Sequence, residues 1–265
     1  MSIPQNTADA PAWSRDDLAD PHARPDKPAR VRRMFAAIAR SYDLNNRLHS
    51  LGLDQAWRRA AVRAARVRPG DRVLDVACGT GDLSLAFLRS PAAQVTGLDF
   101  TPEMLRLAER KRARLAPALA ARVSFLEGDA LSLPFPDASF DVVSIAFGIR
   151  NVADPARALA QFARVLAPAG RLVILEFDRP RSAPARVLSD FYCGWLMPRT
   201  ASLVSRDRSG AYLYLPRSVS SFMSRDDLAA LIRASGFSDL AVRTLCMGIC
   251  ACYAATRSTT PPPSR

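Results

Sequence analysis

VLDVACGTGDL, residues 73–83, begins as a strand and ends as a helix, with two glycines at the joint. Apart from Asp75, residues Val73 to Ala77 are apolar on both parities, as expected of a strand covered on both faces. Gly79 and Gly81 give a turn whose backbone can approach a ligand, and the following helix offers its positive N-terminal end. The same kind of strand recurs downstream as QVTGLD (94–99), RVSFLEGD (122–129), FDVVSIAF (140–147) and GRLVILEF (170–177). Helical punctuation separates them. Thr101-Pro102-Glu103 and Asp154-Pro155 open two helices, and Ser224 with Asp227 forms a capping-box pattern closed by Gly236. Alternating strands and helices of this kind predict an α/β fold built on a doubly wound, largely parallel sheet.

Three regions stand outside the alternation. Residues 1–30 are polar and dotted with proline, have no apolar core of a signal peptide, and are expected to form a disordered arm that contains His22. Residues 31–66 carry apolar positions at helical spacing (Met34, Phe35, Ile38; Leu53, Trp57) and predict helices ahead of the first strand. Residues 181–222 form an aromatic insertion, with Phe191, Tyr192, Trp195, Tyr212, Tyr214 and Phe222, which either packs in the core or roofs an apolar pocket. The domain is therefore placed at residues 31–257, and residues 258–265 are expected to form a disordered tail. No window is apolar enough to span a membrane, so a soluble, cytoplasmic chain is expected.

The net charge is +12, and only Lys27 and Lys111 are lysines, so arginine supplies nearly all the positive charge. The arginines are scattered rather than interleaved with aromatics, which favours a solvated basic surface over a nucleic-acid site; no nucleic-acid partner is expected. Five cysteines make no disulfide framework. CMGICAC (246–252) reads as packed strand, and no ligand spacing for a metal is present.

The chemistry gathers at strand ends. Asp99 closes the second strand and suits ribose hydroxyls; Asp129, after the third, suits an adenine amino group. Asp75 lies beside the glycine turn, where a carboxylate would repel a pyrophosphate and attract an ammonium; its plainer reading is a satisfied loop-capping carboxylate. The third glycine of a dinucleotide fingerprint is replaced by Ser84. A ligand with ammonium, ribose and adenine but no phosphate is S-adenosylmethionine, and that cofactor is preferred to a nicotinamide dinucleotide.

Longer stretches sharpen this. VRRMFAAIARSYDLNNRLHSLGLDQAWRR, LDVACGTGDLSL, LPFPDASFDVVSIAFGIRNVADPARAL, RLVILEFDRP, and LMPRTASLVSRD with YLYLPRSV resemble the ubiquinone/menaquinone biosynthesis C-methyltransferases (UbiE/MenG family) over about residues 31–254. The resemblance implies a class I S-adenosylmethionine-dependent methyltransferase: a seven-stranded sheet ending in an antiparallel hairpin, here DLAVRTL and GICACYAA. It places cofactor contacts at Thr80 in the Gly79–Gly81 turn, at Asp99 and at Asp129-Ala130. It also marks Ala146, where the family often has serine. Leu213 and Tyr253 depart from the family toward the acceptor side. The implied substrate is a prenylated quinol, demethylmenaquinol first, whose home in the bilayer implies transient contact with a membrane surface, assisted by the arginines and by Met34, Phe35 and Ile38. The same fold acting on another small acceptor is the alternative, with a nucleic-acid-binding methyltransferase-like protein, motivated by the +12 charge, behind it.

FGIRNVADP (147–155) follows the fourth strand, where the donor's methyl group should point. Arg150 is expected to stabilise a developing phenolate, Asn151 to orient the ring, and water or Tyr42 to take the proton. Arg150 cannot itself be a base, its pKa exceeding about 12. The competing reading makes Arg150 a structural ion-pair partner of Asp154 or a helix end. His49 is expected on a helix surface rather than as a base.

Overall fold

In this computed structural model, residues 11–258 are described apart from residues 15, 185 and 188–208. Strands β1 (Arg72–Val76), β2 (Gln94–Asp99), β3 (Val123–Glu127), β4 (Phe140–Ala146) and β5 (Leu166–Phe177) pair in parallel, and β6 (Phe237–Leu245) and β7 (Cys250–Arg257) form an antiparallel hairpin against β5. The order is β3-β2-β1-β4-β5-β7-β6. Chain direction across the sheet reverses between β1 and β4, and a crevice at such a reversal is where doubly wound folds bind ligands.

Side chains alternate across each strand, so the apolar runs divide between two cores. On one face Leu74, Val76, Val143 and Ile145 pack against Phe162 of α6 (Pro155–Val165) and Ile232 of α8 (Arg225–Ala234). On the other, Val73, Val95, Val142 and Leu175 meet Phe87 of α3 (Asp82–Phe87) and Trp57 and Ala61 of α2 (Leu53–Ala64). Helix α4 (Pro102–Arg112) and the single turn α5 (Pro117–Ala120) join β2 to β3. The Ser224–Asp227 capping box is formed, and Asp154 caps α6 by accepting from the Arg157 N–H.

The described residues 12–30 of the amino-terminal segment differ from their expected disorder. From Ala12 onward it is a strap: Ala12, Trp13 and Leu18 are buried with Val31, Met34 and Ile38 of α1 (Lys27–His49) and with Tyr214 of α7 (Ala211–Ser220). Trp13 stacks on Tyr214 with ring centroids 4.5 Å apart. Met34 and Ile38 are thereby enclosed, so neither can meet a membrane. Of the aromatic insertion, Tyr214 is core; Phe191, Tyr192 and Trp195 lie outside the described residues, as does the side chain of Tyr212. In CMGICAC the first three residues form a tight turn, and strand begins at Cys250.

Candidate active site

A cleft of about 810 Å³, counted out into open solvent, lies over the carboxyl ends of β1, β2 and β4. Its lining includes Tyr42, Gly79, Asp99, Asp129, Ala130, Ala146 and Asn151, seven of the residues singled out in the sequence. A smaller recess of about 330 Å³ shares Tyr42, Gly79 and Ala146 and adds Arg58, Asp75 and Thr80.

The glycine turn is shaped by close approach. A Cβ at Gly81 would stand 2.8 Å from the Phe125 ring, and the residue has φ +81°. Asp99 is fixed from both sides, Oδ2 accepting from the Gly79 N–H and Oδ1 from the Thr101 N–H, each at 2.8 Å. Burial raises its carboxyl pKa, and those two donors pull against the rise. Asp129 accepts from the Leu131 N–H at 2.9 Å and remains on the cavity wall. Thr80 is tied off: its hydroxyl donates to Asp43 Oδ1 (2.6 Å) and accepts from Lys111 Nζ (3.0 Å).

Asp75 lies deeper than an ammonium ligand was expected to. Its two oxygens accept from the Ser84 hydroxyl (2.6 Å) and the Ser144 hydroxyl (2.9 Å), and burial pushes its pKa up to about 6. Ser84, which broke the dinucleotide fingerprint, is therefore this acid's partner. Across the recess Arg58 is held by Asp54 at 2.7 Å.

The acceptor side overturns the direct role expected of Arg150. Its guanidinium is buried against Glu176 (Nη1 to Oε1, 2.6 Å), donates to the Phe147 carbonyl (2.8 Å), lies over the Phe177 ring and does not line the cavity. The ion-pair partner is Glu176, at the end of β5, and not Asp154. Asn151 does face the cavity. Its amide donates to the Phe147 carbonyl at 3.2 Å and accepts from the Tyr214 hydroxyl at 2.9 Å. Ala77 and Phe147, which follow β1 and β4, both adopt positive φ (52° and 56°), strain that bulky or β-carbon-bearing residues carry where loop geometry is over-determined. Gly148 lets these loops touch: a Cβ there would sit 2.8 Å from Ala77 Cβ.

Tyr42 lines both spaces, and burial raises its phenol pKa. It stays protonated at neutral pH and can relay a proton only by passing its own onward.

Sequence reasoning missed Lys27. The side chain is buried, and Nζ donates to the carbonyls of Arg150 (2.9 Å) and Val152 (2.8 Å), the residues either side of Asn151. Its third contact is His22 Nδ1 at 3.2 Å, and His22 Nε2 lies 2.9 Å from the Ser218 carbonyl, so one tautomer serves both ends. Burial, then the nearby Arg150 charge, lowers the Lys27 pKa to about 8. The signal was present: a chain that uses arginine almost everywhere keeps lysine where a slender, three-donor ammonium is needed.

The model of the ubiE/COQ5 methyltransferase family matches residues 24–257. The chain belongs to that family. The demethylmenaquinone methyltransferase of Deinococcus radiodurans is 49% identical over 80% of this chain and 86% of its own length. The demethylmenaquinone methyltransferase of Thermus thermophilus is 47% identical over 84% of this chain and its whole length. The ubiquinone/menaquinone biosynthesis C-methyltransferase of Geobacter sulfurreducens is 44% identical over 86% of this chain and 88% of its own. Among solved structures, a SAM-dependent methyltransferase from Thermotoga maritima superposes with TM-score 0.57 at 21% identity, over 85% of this chain and all of that one. The [4+2]-cyclase SpnF superposes with TM-score 0.59 at 22% identity, over 78% of this chain and 82% of that one. These distant likenesses give the class I methyltransferase fold; the cyclase among them shows that the fold alone does not fix the reaction.

Proposed function

We propose that this member of the family transfers the methyl group of S-adenosylmethionine to a ring carbon of a prenylated quinol, with demethylmenaquinol as the first candidate. The observation that carries the reading is one continuous cavity bounded by Asp99 and Asp129 on its β2–β3 side and by Asn151 and Tyr42 on the other. The residues fit the donor. Asp99 keeps lone pairs for ribose hydroxyls beyond the two N–H groups it accepts, Asp129 on the same wall would accept from an adenine amino group, and the Arg58–Asp75 recess suits a zwitterionic amino-acid end.

The donor supplies an electrophilic methyl group; the protein's task is to hold a nucleophilic carbon in line with it and exclude water. A quinol carbon becomes nucleophilic as its neighbouring hydroxyl loses a proton. Asn151, its amide oriented by Phe147 and Tyr214, would bond the quinol oxygen. Arg150 acts one step removed: with Glu176 it fixes the carbonyl of Phe147 and so the pose of Asn151. The proton leaves through water or along the Tyr42 hydroxyl.

Two measurements test the reading. The purified chain should bind S-adenosylmethionine by calorimetry, and cells lacking the quinone C-methylation step should regain, on expressing it, a quinone one methylene heavier by mass spectrometry. Tight donor binding with no gain in any quinone would move the chain to another acceptor.

A further inference from the structure

Of the ten exposed large hydrophobic side chains among the described residues, four fall within one corner: Leu44 (61% exposed), Leu48 (48%), Leu51 (83%) and Leu53 (42%). The corner joins α1 to α2 immediately past Tyr42 and Asp43, the residues that touch the cavity and the glycine turn. Along α1, positions 40, 44, 47 and 48 fall within about 100° of arc, so Arg40 and Arg47 alternate with the leucines on one exposed stripe. Leu51 is the most telling. It has φ +51°, a conformation cheap for glycine or asparagine and unfavourable for leucine, and its side chain is left in solvent. Neither backbone preference nor packing among the described residues accounts for a leucine there.

The charge around the corner is one-sided. Residues 27–66 hold ten lysines and arginines against two acids, Asp43 and Asp54. Both acids are turned inward, Asp43 onto Lys111 and Asp54 onto Arg58, which leaves the exposed stripe basic and apolar. A surface of exposed leucines flanked by arginines complements an anionic lipid surface: the leucines enter the acyl boundary and the guanidinium groups pair with headgroup phosphates.

We propose that the Leu44–Leu53 corner docks this protein on an anionic bilayer, presenting the mouth of the cavity to a lipid-dissolved substrate. The inference rests on the prenylated-quinol reading for its purpose, but the surface can be tested without any quinol.

The experiment floats the full chain with vesicles of phosphatidylcholine alone or mixed with phosphatidylglycerol. Binding should require the anionic lipid and fall with salt. Leu44→Glu/Leu48→Glu/Leu51→Asp should weaken it by about tenfold or more. Arg40→Gln/Arg47→Gln should flatten the salt dependence with the leucines intact. Donor binding and the thermal melt of each variant serve as controls for folding, since none of these residues touches the cavity. Turnover of a short-tailed, water-soluble quinol should stay within about twofold of wild type, while turnover of a long-tailed quinol embedded in the vesicles falls with vesicle affinity. Wild-type protein that ignores anionic vesicles at low salt, or a leucine variant that floats like wild type, overturns the proposal. So does a lipid-free dimer, seen by light scattering, that the leucine substitutions dissolve, because the partner would then be a second copy. Methyl transfer to no quinol, with leucine-dependent flotation intact, would instead sink the quinol reading and leave the docking surface standing.

Discussion

Arg150 and Glu176 form a buried ion pair beside the cavity without lining it. Both side chains are almost wholly enclosed, 3% and 2% exposed, and each takes the other's charge at 2.6 Å. Removing one partner of a buried pair strands the other's charge, a loss of about 3–5 kcal/mol. Arg150→Ala should therefore lower the melting temperature by about 10 °C, and pairing Arg150→Met with Glu176→Gln should restore much of the stability but little of the turnover. A single variant melting like wild type would refute the pairing as a structural element. Asp75 makes a second prediction at this scale. Its carboxyl keeps its proton up to about pH 6 in the fold, against 3.8 in the open chain, because burial outweighs the two serine hydroxyls and the Arg58 charge. The folded state binds more protons between those values, so this group's contribution to stability falls as pH rises from about 4 to 6 and stays low above. Asp75→Asn should remove the slope and raise the stability of the donor-free protein at pH 7 by about 2–3 kcal/mol, while weakening donor affinity. Denaturant titrations at several pH values check the first effect and calorimetry the second; parallel pH profiles for variant and wild type would contradict it.

The loops after β1 and β4 are the elements that decide the site, and Gly148 is where they meet. A methyl group there would sit 2.8 Å from Ala77 Cβ and 2.9 Å from Ile145 Cγ1. Ile145 is buried within β4 and Ala77 is half-buried on the turn that leaves β1, so neither yields cheaply and Gly148→Ala should push the FGIRN loop from β1. Turnover should fall by about a hundredfold, the sensitivity of in-line transfer to a displacement near 1 Å, with secondary structure intact by circular dichroism. Unchanged turnover would show that the loops tolerate separation. These elements also mark what the sequence could reveal. The five parallel strands were legible because each is apolar on both parities, and the terminal hairpin followed from the family resemblance. The partner of Arg150 was not, since Glu176 lies 26 positions away; only the β4–β5 register, Ala146 opposite Leu175, brings the two together. The strap was hidden for another reason: Trp13 and Leu18 are isolated anchors in polar, proline-rich sequence, and their burial depends on Tyr214, some two hundred residues later.

Across the whole molecule, α1 works as a bracket fastened at both ends by the chain's only two lysines. At its head Lys27 holds the carbonyls flanking Asn151; near its tail Asp43 meets Lys111 (2.6 Å), which also reaches Asp82 (2.5 Å) and Thr80 in the glycine turn. One helix thus joins the FGIRN loop to the glycine turn, and its last turns carry Leu44 and Leu48 of the proposed docking corner. If the bracket sets the spacing between donor and acceptor, loosening the tail should affect donor binding first. Lys111→Met leaves Asp43 and Asp82 facing each other without their common cation, a repulsion inside partly enclosed surroundings that salt screens incompletely. We expect donor affinity to weaken by about tenfold, or 1.4 kcal/mol, and amide exchange to quicken over residues 40–49 while the β-sheet amides keep their protection. Adding Asp43→Asn should recover part of the loss, because it removes the repulsion without restoring the bridge. Wild-type donor affinity in Lys111→Met, or faster exchange spread evenly over the sheet, would mean that the tail contacts stabilise the fold generally and that α1 does not set the spacing of the two half-sites.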